Sequence, residues 1–239
     1  MAMEFPVYPN PEVLLARLVW SQDAGVPQAT GLPKGELPPT EEFLSQLADQ
    51  VGMHSHDLFL IAGLAIPDDA LHFDEEASRE LPELVRRTLA LPAFSRQQLR
   101  DRARSLGEVP QSIPPRKKRA FEQYPPGFGS LFVRMLALRN LGWSSAAKVM
   151  YMMSGVYLSA ATIGAVGRGV KELDAELLNG FAAVLGVPVA TLASLTGMHQ
   201  IVASRKHSAE VIDTAALLWD VRHLTVAQVR QVSDLADNR

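Results

Sequence analysis

The chain matches itself. Residues 34–64, KGELPPTEEFLSQLADQVGMHSHDLFLIAGL, align without a gap on residues 168–198, RGVKELDAELLNGFAAVLGVPVATLASLTGM. Gly35, Glu42, Leu44, Ala48, Gly52, Leu58 and Gly63 fall on identical residues; Lys34 falls on Arg168, Leu47 on Phe181, Val51 on Leu185 and Ile61 on Leu195. In each copy the apolar residues recur at i, i+1, i+4, i+5 and i+8, as Phe43, Leu44, Leu47, Ala48, Val51 and as Leu177, Leu178, Phe181, Ala182, Leu185. That spacing makes one apolar helix face. Gly52 and Gly186 stand where a helix C-terminus favours left-handed backbone, and Thr40 and Asp174 stand as N-caps. Starts, stops and core positions in one register point to an internal duplication.

The rest of the chain reads as helix too. Ser95 with Gln98, and Thr225 with Gln228, have capping-box spacing and mark two further helix starts. Val211, Ile212, Ala215, Leu218, Trp219 and then Val226, Val229, Val232, Ala236 form two apolar faces, an αα-hairpin expected either to cap the second copy or to pair with a second chain. No segment alternates with period two between turn dipeptides, so the expected class is all-α. Residues 107–130 hold five prolines, which deny helix interiors their N–H groups. The expected division is residues 1–106, a Pro-rich basic linker at 107–129, residues 130–200, and the hairpin at 201–239.

Charge is distributed unevenly behind a net −3. Residues 1–90 carry 15 acidic and 5 basic side chains, residues 91–150 carry 3 and 11, and the remainder 8 and 7. A polyanion is expected to meet the basic middle, because phosphate affinity is chiefly a Lys/Arg term. The alternative is a solvated basic helix that balances the acidic N-terminal half. With no cysteine, disulfides, thiolate nucleophiles and Cys-based metal sites are excluded. No apolar run reaches roughly 18 residues and the N-terminus lacks a signal pattern, so no membrane span and a cytoplasmic setting are expected.

Residues 130–198 resemble a helix-turn-helix domain of the Xre/Cro type, the lambda-repressor-like class with five helices, and residues 11–64 resemble it in truncated form. Phe132, Val133, Leu136 and Arg139 fit the first helix, residues 144–154 the second, residues 159–166 the third and residues 175–185 the fourth, with GVPVATLASLTGM supplying the fifth. The resemblance implies a third helix in the major groove of double-stranded DNA and a second helix aimed at a phosphate. Carried over, Ser144, Ser145 and Lys148 face phosphate, Ser159 and Thr162 face bases, Arg168 and Lys171 touch the backbone at the helix exit, and Ile163 and Val166 anchor the helix. The alternatives are capping for Ser159 and Thr162 and a salt bridge to Glu172 for Arg168. Arg116, Lys117, Lys118 and Arg119 are expected to track the backbone as a basic arm, or to be a solvated hinge. The turn is about two residues longer than usual, with Tyr157 and Leu158 inserted, and the third helix is poor in side chains able to make a bidentate bond. In the first copy the corresponding segment, GVPQATGLPKGE from Gly25, carries two prolines in acidic surroundings, so a role in packing, dimerisation or binding a partner protein is expected there, with the helix around residues 95–106 completing the unit.

Other chemistry is thin. His54, His56 and Asp57 are read as a capped surface loop rather than metal ligands, and no metal or cofactor is expected. Met150, Tyr151, Met152, Met153, Tyr157 and Trp143 are read as core filling, with an effector pocket as the alternative. No nucleophile triad, phosphate loop or carboxylate pair suggests an enzyme. The expectation is a transcriptional regulator acting as a homodimer; the alternative is a protein-interaction or effector-sensing adaptor that no longer binds DNA.

Overall fold

A computed structural model of the chain describes residues 8–20, 39–66, 71, 73–107, 120–198 and 206–237. Among these the structure is helical, without a strand. In chain order the helices are α1 (Pro11–Trp20), α2 (Glu41–Val51), α3 (Ser55–Ile61), α4 (Ala77–Leu89), α5 (Ala93–Ser105), a 3-10 turn (Ala120–Gln123), α6 (Phe128–Ala137), α7 (Trp143–Ser154), α8 (Ala160–Gly167), α9 (Ala175–Leu185), α10 (Val189–Thr196), α11 (Ala209–Asp220) and α12 (Val226–Asp237). No helix is long and apolar enough to cross a membrane, among the described residues.

The duplicated segments fold alike in detail. α2 and α9 occupy aligned residues from first to last, and Thr40 and Asp174 each accept the N–H three residues on, from Phe43 and Leu177. Gly52 and Gly186 end them with φ of 67° and 70°, a region costly for any residue with a Cβ. The copies also meet, once directly and once through Arg139. Thr191 Oγ1 of α10 donates to the Val51 carbonyl at the end of α2 (3.4 Å). Arg139, held by Asp57 of α3, donates to the Leu185 carbonyl at the end of α9 (2.8 Å). Positions 57 and 191 are equivalent in the repeat, as are 51 and 185. The second copy thus satisfies a helix-end carbonyl of the first directly, while Asp57 of the first copy holds Arg139, which lies outside both copies, on the helix-end carbonyl of the second.

The remaining helices form a second layer across the presumed division of the chain. α12 lies along α4, and α11 along α5, with α11 also reaching α9. The helix around residues 95–106 therefore completes no N-terminal unit: α5 belongs to a four-helix arrangement with the C-terminal hairpin. The reason is charge as well as shape. Arg96 pairs with Asp213 (2.8 Å), and Arg100 and Arg104 share Asp220 (2.8 and 3.1 Å). Four of the eleven basic side chains of residues 91–150, Arg96, Arg100, Arg104 and Arg139, are engaged in ion pairs rather than offered to a polyanion. The hairpin's Ala215, Leu218, Val229 and Val232 are buried in the chain's own continuous core, while Ile212 stays exposed. Acidic residues near position 75 are also structural in part: Asp74 accepts the N–H groups of Glu76 and Val226 (2.9 and 2.7 Å), pinning the starts of α4 and α12 together, and Glu80 pairs with Arg230.

The capping box at Thr225 and Gln228 forms reciprocally (2.9 and 3.3 Å). That at Ser95 does not: α5 starts after Pro92, three residues earlier, where the extended Pro92 accepts the first helical N–H, from Arg96, at its carbonyl (3.1 Å). His54 and Asp57 are no surface loop. Asp57 is fully buried, and the His54 ring stacks on Trp219 at 3.7 Å with the planes 2° apart. Burial, with the Arg139 guanidinium nearby, lowers the His54 pKa from 6.5 to about 4. Unfolded chain takes up this proton below pH 6.5 and folded chain only near 4, so stability is full above 6.5 and falls as pH drops between the two. The loss is about 3 kcal/mol. Urea unfolding at pH 7 and pH 4.5 should show it, and His54→Phe, which keeps the stack, should flatten that part of the pH dependence; an unchanged slope would mean that His54 titrates normally.

Candidate nucleic-acid interface

α7, the turn after it and α8 form the unit that carries most of the expected site. α7 ends at Gly155, whose left-handed φ of 76° turns the chain away. Five residues, 155–159, then lead to α8, with Val156 buried as their anchor. Ser159 caps α8 by accepting the Thr162 N–H (3.2 Å), and its hydroxyl lies 3.0 Å from Thr162 Oγ1. Ile163 and Val166 are each 1% exposed and hold α8 to the core as anticipated.

Two close approaches set the position of α8. Gly129 of α6 lies against the backbone of Val166, where a Cβ would overlap the carbonyl. Gly167 lies against the Tyr124 ring, where a Cβ would come within 2.7 Å of Cε2. Glycine at both points lets α6 and the segment after the 3-10 turn grip the helix at backbone distance. Gly164 makes room on the other side for the Trp143 ring and the Arg168 guanidinium.

The expected contact residues separate into two groups. Ser144, Lys148, Ser159, Arg168 and Lys171 are exposed and Thr162 is half-buried. Arg168 makes no ion pair among the described residues, with Glu172 or otherwise, while Lys171 reaches Asp174 at 3.4 Å. Ser145 does not belong with them. It is buried, and its hydroxyl donates to the Ser78 carbonyl of α4 at 2.6 Å. The cause lies in α4: Pro82 has no N–H, so the carbonyl four residues earlier lacks a helical donor, and Ser145 supplies one. Ser78 in turn accepts the Gly142 N–H (3.2 Å), so α4 covers part of the α7 N-terminus that the resemblance aims at phosphate. Between α4 and this edge remains a cleft of 450 Å³ lined by Glu75, Arg79, Asn140, Trp143, Ser144 and Ala160 among others. Arg116, Lys117, Lys118 and Arg119 lie outside the described residues, as does the GVPQATGLPKGE segment of the first copy.

The methionine cluster divides as well. Met150 and Met153 fill core, and the Gly180 backbone abuts the Met150 side chain. Tyr151 and Tyr157 stand outside, 54% and 86% exposed, with rings 5.9 Å apart and nearly perpendicular. Sequence reasoning missed the Asp57–Arg139 pair. The available signal was a carboxylate on the interior side of an apolar helix, at the position where the second copy has Thr191.

Comparison with protein-family models, with curated proteins and with solved structures finds no match for the chain.

Proposed function

We propose that the chain is a DNA-binding transcriptional regulator that docks α8 in the major groove, with α7 crossing the phosphate backbone. One observation carries this: α8 presents a capped N-terminus and a face of small residues (Ser159, Ala161, Thr162, Ala165) on a unit whose exposed cations are Lys148, Arg168 and Lys171. Small side chains allow close approach to base edges and alanine suits a thymine methyl, while the cations supply the non-specific term. The contact set is then Ser144, Lys148, Ser159, Thr162, Arg168 and Lys171, with Arg116, Lys117, Lys118 and Arg119 as a basic arm. Few base contacts leave specificity to DNA shape or to a second copy. Most apolar residues of the α11–α12 hairpin are already buried within the chain, which leaves Ile212 as its exposed apolar contribution to such a homodimer. The acidic N-terminal half is left for packing or for a protein partner.

The second reading, a protein-interaction adaptor, is favoured by the exposed apolar side chains beside the same unit: Tyr157 and, after α8, Val170 (76% exposed). Mobility shift on random and genomic duplex, from low to physiological salt, separates the two. DNA binding is expected to weaken with a log–log slope of roughly −3 to −6, for three to seven phosphate contacts. Arg168→Ala with Lys171→Ala should abolish the shift at physiological salt, and charge reversal at Lys34 should leave it unchanged. Absence of binding even at low salt would sink the regulator and leave the adaptor.

A further inference from the structure

A second, smaller cavity of 220 Å³ lies between α3, α6 and the 3-10 turn. Leu60 and Leu64 line it from the α3 side, Arg134 and Leu138 from the α6 side, and Phe121 and Glu122 from the turn. Its volume is below the roughly 300–1,000 Å³ typical of drug-sized sites, so an occupant is small. Its walls are mostly aliphatic and aromatic, with one cation. Arg134 Nη2 donates to the carbonyls of Glu122 and Tyr124 (3.4 and 3.2 Å), but its Nε is buried without a partner. Glu122, at the same rim, is already engaged. Arg134 as a whole is partly exposed and is the cavity's cation, and the group that answers a guanidinium best is a carboxylate.

We propose that this cavity is an effector site for a small amphipathic carboxylate, the chain lying along Leu60, Leu64 and Leu138 and the carboxylate on Arg134. Its position couples it to α8 in two ways. Phe121 is a wall of this cavity and also of the cleft at the α7 N-terminus. Tyr124, whose carbonyl Arg134 holds, packs on Gly167 of α8. A carboxylate competing for Arg134 loosens the turn, which follows directly on the basic segment 116–119, and so alters the DNA-facing edge. The site itself is independent of the DNA reading; the coupling rests on it.

Octanoate is the probe, with octylamine and octan-1-ol as controls, titrated calorimetrically into the full chain. Saturable octanoate binding is expected, at least tenfold weaker in Arg134→Gln and in Leu64→Trp, which fills the cavity; circular-dichroism melts establish that each variant is folded. Absence of saturable binding, equal binding of octylamine, or binding unchanged in both variants overturns the site. In mobility shifts octanoate should change duplex affinity at least threefold in the natural chain and not in the variants. Octanoate binding with unchanged duplex affinity overturns the coupling alone. No duplex binding under any condition counts against the regulator and leaves the calorimetric result to decide the site.

Discussion

Asp57→Ala is expected to destabilise the chain by about 3–5 kcal/mol, the cost of leaving a buried guanidinium without its counter-ion. Asp57 and Arg139 are both 0% exposed and joined by two hydrogen bonds of 3.0 and 2.8 Å. Arg139 also donates to the Met135 and Leu185 carbonyls and lies over the Trp219 ring at 5.1 Å, so it cannot swing out to water without breaking contacts with α6, α9 and α11. Against a typical domain stability of about 5–15 kcal/mol the loss is large. Arg139→Met alone strands the carboxylate and should cost a similar amount. Asp57→Leu with Arg139→Met should recover much of it, because the pair's attraction largely offsets its own desolvation. Urea denaturation of the two single variants and the double gives the cycle. A loss below about 1 kcal/mol in Asp57→Ala would mean that water reaches the pair.

Gly129→Ala is the second. In most helix positions alanine is favoured over glycine by up to about 1 kcal/mol. Here the added methyl overlaps the Val166 carbonyl, a backbone atom that cannot rotate aside, so α6 and α8 must separate. Overpacking of this kind costs about 1–3 kcal/mol or more and outweighs the propensity gain. Because the strain falls on α8, duplex binding should fall further than stability alone accounts for. Gly127→Ala is the control: a Cβ there meets nothing within 4 Å, and the change should stay within about 0.5 kcal/mol. Equal stability of the two variants, read by urea denaturation, would refute the close approach of α6 to α8.

The legible parts of the molecule were those set by local chemistry. Helix periodicity, Thr40 and Asp174 as caps, Gly52 and Gly186 as stops and the Thr225–Gln228 box all act within a few residues, and all are found in place. The α7–α8 unit was legible for the same reason, down to Ile163 and Val166 as anchors. The roles of Ser145, Asp57 and the α5 arginines were not. An apolar stripe says which face of a helix is covered, not by what, and a polar side chain does not announce whether its partner is water or a carbonyl sixty residues away.

By itself, then, the sequence determined an all-helical chain with a duplicated helix pair, because periods, caps and left-handed glycines are written in adjacent residues. Only the tertiary structure decided how the copies are used. It joined them at the Val51 carbonyl and through Arg139, held between Asp57 and the Leu185 carbonyl, put the C-terminal hairpin on α4 and α5, and turned Ser145 inward to the carbonyl that Pro82 leaves open. Each of these joins residues far apart in the chain, where burial, and not spacing, makes an unpaired charge or carbonyl costly enough to choose its partner.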